Sequence, residues 1–306
     1  MDEVIGIDLG GTAIKVGRFS REGACLESLT MRTPQPSRPN AVLDMIVYAI
    51  EKLAPGFVDL IAIGIGTPGP ADLAGRVAKI AINLDDWLDI PIASLLQGRT
   101  GLPAVVGNDG NCAGLGERWL GAGRHYQDSV LLTLGTGVGG AIFINGELFT
   151  GHAGSAGELG LITLDGTGHK CNSGNSGSLE QFLSGNAIRR MTGREPQEMG
   201  ELAEGGDVAA LEFWEGYGRN LGIGLTSIMY VLTPEVAIIG GGISASAPYF
   251  LPAAEREIQR RVMSVSRPGF KLIRAELGNQ AGMTGAAKLA WEKVRSYESR
   301  RGGFML

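Results

Sequence analysis

Val4-Ile5-Gly6-Ile7-Asp8-Leu9-Gly10-Gly11-Thr12-Ala13-Ile14-Lys15-Val16-Gly17 is the stretch from which the fold can be read. Residues 4–9 are almost all apolar, the pattern of a buried strand, and Gly10-Gly11-Thr12 turns the chain into a second strand over 13–17. The phosphate loop GxxxxGK[ST] is absent, and no helix is predicted to open at this turn. The two glycines can instead present backbone N–H groups to an anion, with Asp8 at the end of one strand and Lys15 in the next. A plain glycine turn beside a surface aspartate is the competing reading.

The second half repeats this grammar. Residues 129–134 predict a strand, Gly135-Thr136-Gly137-Val138-Gly139-Gly140 a turn, and 141–144 a second strand closed by the hairpin dipeptide Asn145-Gly146. Gly135, Gly137 and Gly140 also fit the dinucleotide fingerprint, with Glu158 about twenty residues on, but that fingerprint must open a helix and this turn opens a strand. Two related hairpins of this kind could hold a polyphosphate. A third apolar run, 236–239, ends in Gly240-Gly241-Gly242, where a base or ribose could lie on the backbone or where the turn merely packs. Helices over 40–53, 111–120, 207–231, 248–262 and 281–297 alternate with strands at 60–65, 103–106 and 271–276, the order of an α/β protein. The main boundary is placed near residue 120. It separates an N-terminal α/β domain, 1–120, from a larger C-terminal one, 121–306, with the helix at about 281–297 able to pack back on the first.

Composition narrows the function. The 306 residues carry 27 Lys and Arg against 32 Asp and Glu, a formal charge of −5, with no basic run and no apolar stretch long enough to cross a bilayer. Nucleic-acid and membrane partners are therefore not expected. The three cysteines are an odd number at wide spacings, and Asp2, Glu3 and Asp8 interrupt any signal-peptide core, so a cytoplasmic location is expected. Glycine supplies 49 residues, well above the usual share of roughly 7%, and it clusters after β-branched runs, as turns that let backbone approach a ligand would require. With only three histidines, acid–base work falls to carboxylates. Asp109 follows Asn108 where a strand ends and a helix begins, a place where α/β proteins gather ligand groups and equally a normal N-cap position. Glu158 in Gly157-Glu158-Leu159-Gly160 and Glu180 in Gly177-Ser178-Leu179-Glu180 complete a set suited to bridging sugar hydroxyls.

In this order, Asp8-Leu9-Gly10-Gly11-Thr12, Gly66-Thr67-Pro68-Gly69, Asn108-Asp109-Gly110-Asn111-Cys112-Ala113, Leu134-Gly135-Thr136-Gly137-Val138-Gly139-Gly140 and Gly154-Ser155-Ala156-Gly157-Glu158-Leu159-Gly160 resemble the ROK sugar kinases, most of all the bacterial glucokinases. The resemblance implies a two-domain actin-like ATPase (ribonuclease H-like) fold with a cleft between the domains. It implies ATP-dependent phosphorylation of a hexose, glucose to glucose 6-phosphate first among them, with Asp109 as the base that takes the hydroxyl proton. Asn108, Glu158 and Glu180 would hold the other hydroxyls, with Asn83 near the ring. Gly10, Gly11 and Thr12 with Gly135, Thr136 and Gly137 would embrace the phosphates. Asp8 would orient Mg²⁺ through water, and Gly240, Gly241 and Gly242 would lie near the adenosine. A homodimer or homotetramer is implied as well.

One departure stands out. Family members commonly hold zinc with C-x-C-G-x-x-G-C and a histidine three residues after the glutamate of the GE motif. Here that stretch is Cys171-Asn172-Ser173-Gly174-Asn175-Ser176-Gly177-Ser178, and the histidine position is Leu161. No zinc is expected, because serine does not replace a thiolate ligand, and the loop is expected to be held by turns and hydrogen bonds. Leu161 also removes a hydrogen bond to the sugar, which leaves mannose, fructose and N-acetylated hexosamines as alternative acceptors. Thr33-Pro34-Gln35-Pro36-Ser37 resembles a segment of polyphosphate-dependent glucokinases, so polyphosphate is an alternative donor. A sugar sensor without catalysis is the non-enzymatic alternative.

Overall fold

The computed structural model describes residues 2–81 and 83–302. They form two compact units: the chain through Arg124 with Thr150–Ala156 and the residues from Gln280 onward, and His125–Phe149 with Gly157–Asn279.

In the first unit, β1 (Glu3–Leu9), β2 (Ala13–Phe19) and β3 (Cys25–Arg32) form an antiparallel meander. Helix α1 (Pro39–Leu53) leads to β4 (Leu60–Thr67), and a two-stranded ribbon, β5 (Ala78–Ile80) and β6 (Leu88–Ile90), leads to α2 (Ile92–Thr100), β7 (Ala104–Asn108) and α3 (Asp109–Leu120). The sheet order is β3-β2-β1-β4-β7, with β4 parallel to both β1 and β7. Helix α1 starts on Pro39, where a missing N–H costs nothing. It buries Val42, Leu43, Ile46, Ala49, Ile50 and Leu53, one stripe at helical spacing, in the same core as Ile5, Ile7, Ile14 and Ile63.

The second unit opens with β8 (Ser129–Leu134), β9 (Val138–Ile144) and β10 (Glu147–Leu148), then α4 (Glu180–Leu183), α5 (Gly185–Thr192), α6 (Pro196–Glu204) and the 25-residue α7 (Val208–Leu232). Strand β11 (Val236–Gly240), α8 (Ala247–Arg261) and β12 (Lys271–Arg274) complete it. Its sheet order, β10-β9-β8-β11-β12, repeats the first sheet's connectivity strand for strand, antiparallel and parallel pairings included. The recurrence of the strand–glycine turn–strand pattern thus reflects two sheets of one topology. Helix α7 is started by Asp207, whose side chain accepts from the Ala210 N–H at 2.8 Å. Trp214 and Tyr217 of α7 are buried with Phe250 of α8, and their polar atoms are used: the indole N–H donates to Met199 O at 3.0 Å and the phenol to Leu183 O at 2.7 Å.

Helix α9 (Ala281–Gly302) returns to the first unit, packing on β1, β4 and α3 with Met283, Ala287, Ala290 and Trp291 in a small core with Val4, Phe19 and Ala62. Glycines make this approach possible. A methyl group on Gly64 would lie 1.8 Å from Ala286 O, and one on Gly285 1.6 Å from Cys112 O, so helix backbone lies directly on strand and helix backbone.

Candidate active site

The β1–β2 turn is braced from its carbonyl side. Thr33 donates its hydroxyl to Gly10 O at 2.7 Å and its N–H to Thr12 O at 3.0 Å, while Gln35 Nε2 reaches Gly11 O at 3.4 Å. Thr33-Pro34-Gln35-Pro36-Ser37 therefore has a structural task. Asn83 is exposed and its carbonyl oxygen lies beside Gly11, 3.2 Å from where a Cβ would be. Asp8 and Lys15 are cross-strand partners, with Lys15 Nζ donating to Asp8 Oδ2 at 2.9 Å.

Asn108 is both the last residue of β7 and the N-cap of α3. Its Oδ1 accepts from Asn111 N at 2.9 Å and its Nδ2 donates to Gly69 O at 3.1 Å, so the capping reading holds and the side chain also ties down the Gly66-Thr67-Pro68-Gly69 loop. That fixes the first turn of α3, whose first residue is the half-buried Asp109, with Oδ1 accepting the Gly110 N–H at 2.7 Å. One helical turn on, Cys112 is fully buried. Burial, then the charges of Asp109 and Asp8, push its thiol well above the ordinary range. Asp8 pairs with Gly66 across β1 and β4, and a Cβ on Gly66 would lie 3.5 Å from Asp109 Cα, so both residues stand at the same end of the first sheet.

In the second unit, the β8–β9 turn is closed by Gly135 N–H donating to Gly137 O at 3.0 Å and is seated on α5 by Gly185 N–H donating to Gly135 O at 2.7 Å. The strand predicted after this turn is present as β9, so the turn opens no helix. Glu180 closes in from the side: its Oε2 accepts the Val138 N–H at 3.0 Å, and a methyl group on Gly137 would lie 2.5 Å from that oxygen. Glu158 lies near enough to Glu180 to feel its charge. Although Glu158 retains much solvent exposure, desolvation of its carboxyl first, and Glu180 second, raise its pKa.

Gly135, Thr136 and Gly242 line a cavity of about 740 Å³ with Pro196, Ile243 and Tyr249. Gly240 is buried in β11, and Gly241, at φ +80°, approaches Leu134 so closely that a Cβ would stand 2.2 Å from its carbonyl oxygen. Of the three glycines, two serve packing and one faces the cavity. Sequence reading missed the cavity's other lining residues: Arg189, Glu195, Glu201 and Glu204 come from α5, α6 and the link between them, short helices that no motif marks.

The zinc-type loop has one thiol, Cys171, with Ser173, Ser178 and Leu161 at the other positions, a donor set that does not fit tetrahedral zinc. Turns and hydrogen bonds hold it: Cys171 N–H donates to Asn175 O at 2.7 Å, Gly174 N–H to Cys171 O at 3.0 Å, and Gly177 N–H to His169 O at 2.7 Å. Among the described residues, no three His, Cys, Asp or Glu side chains gather as a metal site. No helix of the described residues is long and apolar enough to cross a membrane.

Residues 4–293 match the ROK family. The chain belongs to the ROK family. A glucokinase from Streptomyces coelicolor is 33% identical over 95% of this chain and 98% of its own length. The crystal structure of a ROK family glucokinase from Streptomyces griseus, in complex with glucose and AMPPNP, superposes with a TM-score of 0.84 at 33% identity, over 95% of this chain and 99% of that one. The fold is thereby the actin-like ATPase fold of the ROK sugar kinases. The xylose repressor of Bacillus spizizenii also matches, at 29% identity over 94% of this chain but 77% of its own length.

Proposed function

We propose that this ROK protein is an ATP-dependent hexose kinase that converts glucose to glucose 6-phosphate. The observation that carries the reading is Asp109, fixed at the first turn of α3 by the Asn108 cap, in a chain that a glucokinase matches over 95% of its length. Phosphoryl transfer asks mainly for positioning and charge neutralisation. The sugar 6-hydroxyl oxygen attacks the γ-phosphorus, the bond from that phosphorus to the ADP oxygen breaks, and the hydroxyl proton passes to the Asp109 carboxylate. Glu158, Glu180, Asn108 and Asn83 orient the sugar through its remaining hydroxyls. The N–H groups of Gly10–Thr12 and Gly135–Gly137 receive the phosphate oxygens.

Magnesium, when bound with ATP, supplies charge neutralisation at the phosphates. It commonly uses one or two protein carboxylates plus phosphate and water, a demand that Asp8 fits with the oxygen not engaged by Lys15 in the 2.9 Å contact.

The cavity supports ATP over polyphosphate. Its volume, about 740 Å³, suits a nucleoside, with apolar walls from Ile243, Pro248 and Tyr249. Among the described residues, Arg189 is the one basic residue lining it and is engaged by Glu195 at 2.7 Å, and Glu201 and Glu204 add negative charge that a long polyanion would meet unfavourably. The test is a panel of glucose, mannose, fructose and N-acetylated hexosamines with ATP or polyphosphate and Mg²⁺, each product identified by mass and phosphate position. The expected result is glucose 6-phosphate formed from ATP at least tenfold faster than from polyphosphate. ATP consumption that no sugar stimulates would refute the kinase reading and favour a sugar sensor.

A further inference from the structure

The segment 158–180 contains two carboxylates assigned above to the sugar and no metal-ligand set to hold them. Glu158 precedes a short turn, Leu159–Leu161, and Glu180 opens α4. Both ends are anchored at one residue of β9. The Val138 N–H binds Glu180 Oε2 at 3.0 Å, while a methyl group on Gly160 would lie 2.1 Å from Val138 O. Farther out, the strands of this excursion pair through backbone. Leu164 N–H donates to Gly177 O at 2.8 Å, Leu179 N–H donates to Ile162 O at 2.8 Å, and Thr163 bridges Ser178.

One side-chain tie across the excursion is Asn175. Its Nδ2 donates to Leu161 O at 3.2 Å and to Thr163 Oγ1 at 2.8 Å, and its Oδ1 accepts the Ser176 N–H at 2.8 Å. Its backbone carbonyl also accepts the Cys171 N–H at 2.7 Å. One half-buried amide thus links the turn after Glu158 with the Cys171–Ser178 loop that leads into Glu180. An amide can do this without a charge, because it offers two donors and an acceptor on one rigid plane.

We infer that Asn175 is a positioning residue for the sugar site, a metal-free clasp whose side-chain amide holds the Glu158 turn against the loop leading into Glu180 and so sets the spacing of the two carboxylates. The inference rests on the reading of Glu158 and Glu180 as sugar ligands. Its effect is expected on hexose binding, because the nucleotide cavity draws no lining residue from 158–180. Asn175→Asp keeps the size and the acceptor for Ser176 but turns an oxygen toward Leu161 O in place of a donor. Thr163→Val removes only the hydroxyl acceptor.

The test uses the full chain and two readouts. Hydrogen exchange of backbone amides in 158–180 is compared between wild type, Asn175→Asp, Thr163→Val and the double variant, and KM for glucose and for ATP is measured for each. Asn175→Asp is expected to speed exchange at Leu164 and Leu179 and to raise KM for glucose about tenfold, with kcat and KM for ATP within about twofold. Thr163→Val is expected to raise KM for glucose about two- to threefold and to add little in the double variant, because it acts through the same amide. Unchanged exchange would overturn the clasp, and faster exchange with unchanged KM for glucose would overturn its positioning role, as would a parallel loss in kcat and both KM values. A wild-type chain that phosphorylates no hexose would sink the kinase reading and with it the positioning role, while the exchange readout would still decide the clasp itself.

Discussion

At the scale of single residues, several polar side chains near the candidate site have a second task in the fold. Asn108 caps α3 and ties the Gly69 loop, Glu180 accepts from Val138, and Lys15 pairs with Asp8. Glu158 differs, since its raised pKa means that the folded protein disfavours its charge. A carboxyl raised on folding gives stability that is full below the ordinary glutamate range and is lost as pH rises through the raised value. Ionising Glu158 is therefore a cost to the fold, softened by its exposure to water. Glu158→Gln is predicted to raise the thermal midpoint slightly at pH 7–8, with the gain closing below about pH 3.5, where the carboxyl is mostly protonated in the folded and the unfolded chain. The same variant is predicted to raise KM for glucose at least tenfold. A scan across pH with matched kinetics checks both, and a midpoint that falls at neutral pH would contradict the assignment. These double roles explain why sequence reading left Asn108 open between cap and ligand: the residue type favoured at an N-cap is also the type that binds a hydroxyl.

At the scale of elements, packing by glycine decides where α9 lies. Alanine in place of glycine inside an exposed helix ordinarily stabilises by about 0.5–1 kcal/mol, and Gly98 in α2, with nothing within 4 Å of its missing methyl, is predicted to behave this way. Gly285 is also helical, but its methyl would lie 1.6 Å from the backbone oxygen of Cys112, which no rotamer change relieves. Gly285→Ala is predicted to destabilise by about 2–4 kcal/mol, the clash outweighing the helix preference. Urea unfolding of the two variants checks the opposite signs. Long amphipathic elements such as α1 and α7 and the buried strands β1, β4, β8 and β11 were legible because their periodicity is strong. Strand β3 was not, because it is an edge whose residues are mostly exposed, and its sequence, Cys-Leu-Glu-Ser-Leu-Thr-Met-Arg, lacks clean alternation. Helices α4, α5 and α6, of 4, 8 and 9 residues, are bracketed by Ser184, Gly185, Gly193 and Gly205 and are too short to show a clear helical period. That is why one wall of the nucleotide-sized cavity was missed.

At the scale of the whole molecule, the two sheets share one strand order, and each places a glycine turn after its first strand. The recurrence was visible in sequence because a turn that exposes backbone N–H groups can be built from few residue types. Substrate choice was not, because it depends on shape around the sugar, including Leu161, and on differences in affinity that no motif encodes. Asp109 carries the proposed chemistry. The most direct measurement is the glucose-dependent rate of ADP release by Asp109→Asn beside wild type, with glucose binding measured separately by calorimetry. The expected result is a fall in kcat of about 10²–10⁴ with glucose affinity within about fivefold of wild type. Turnover within tenfold of wild type by a variant that still binds glucose would contradict it.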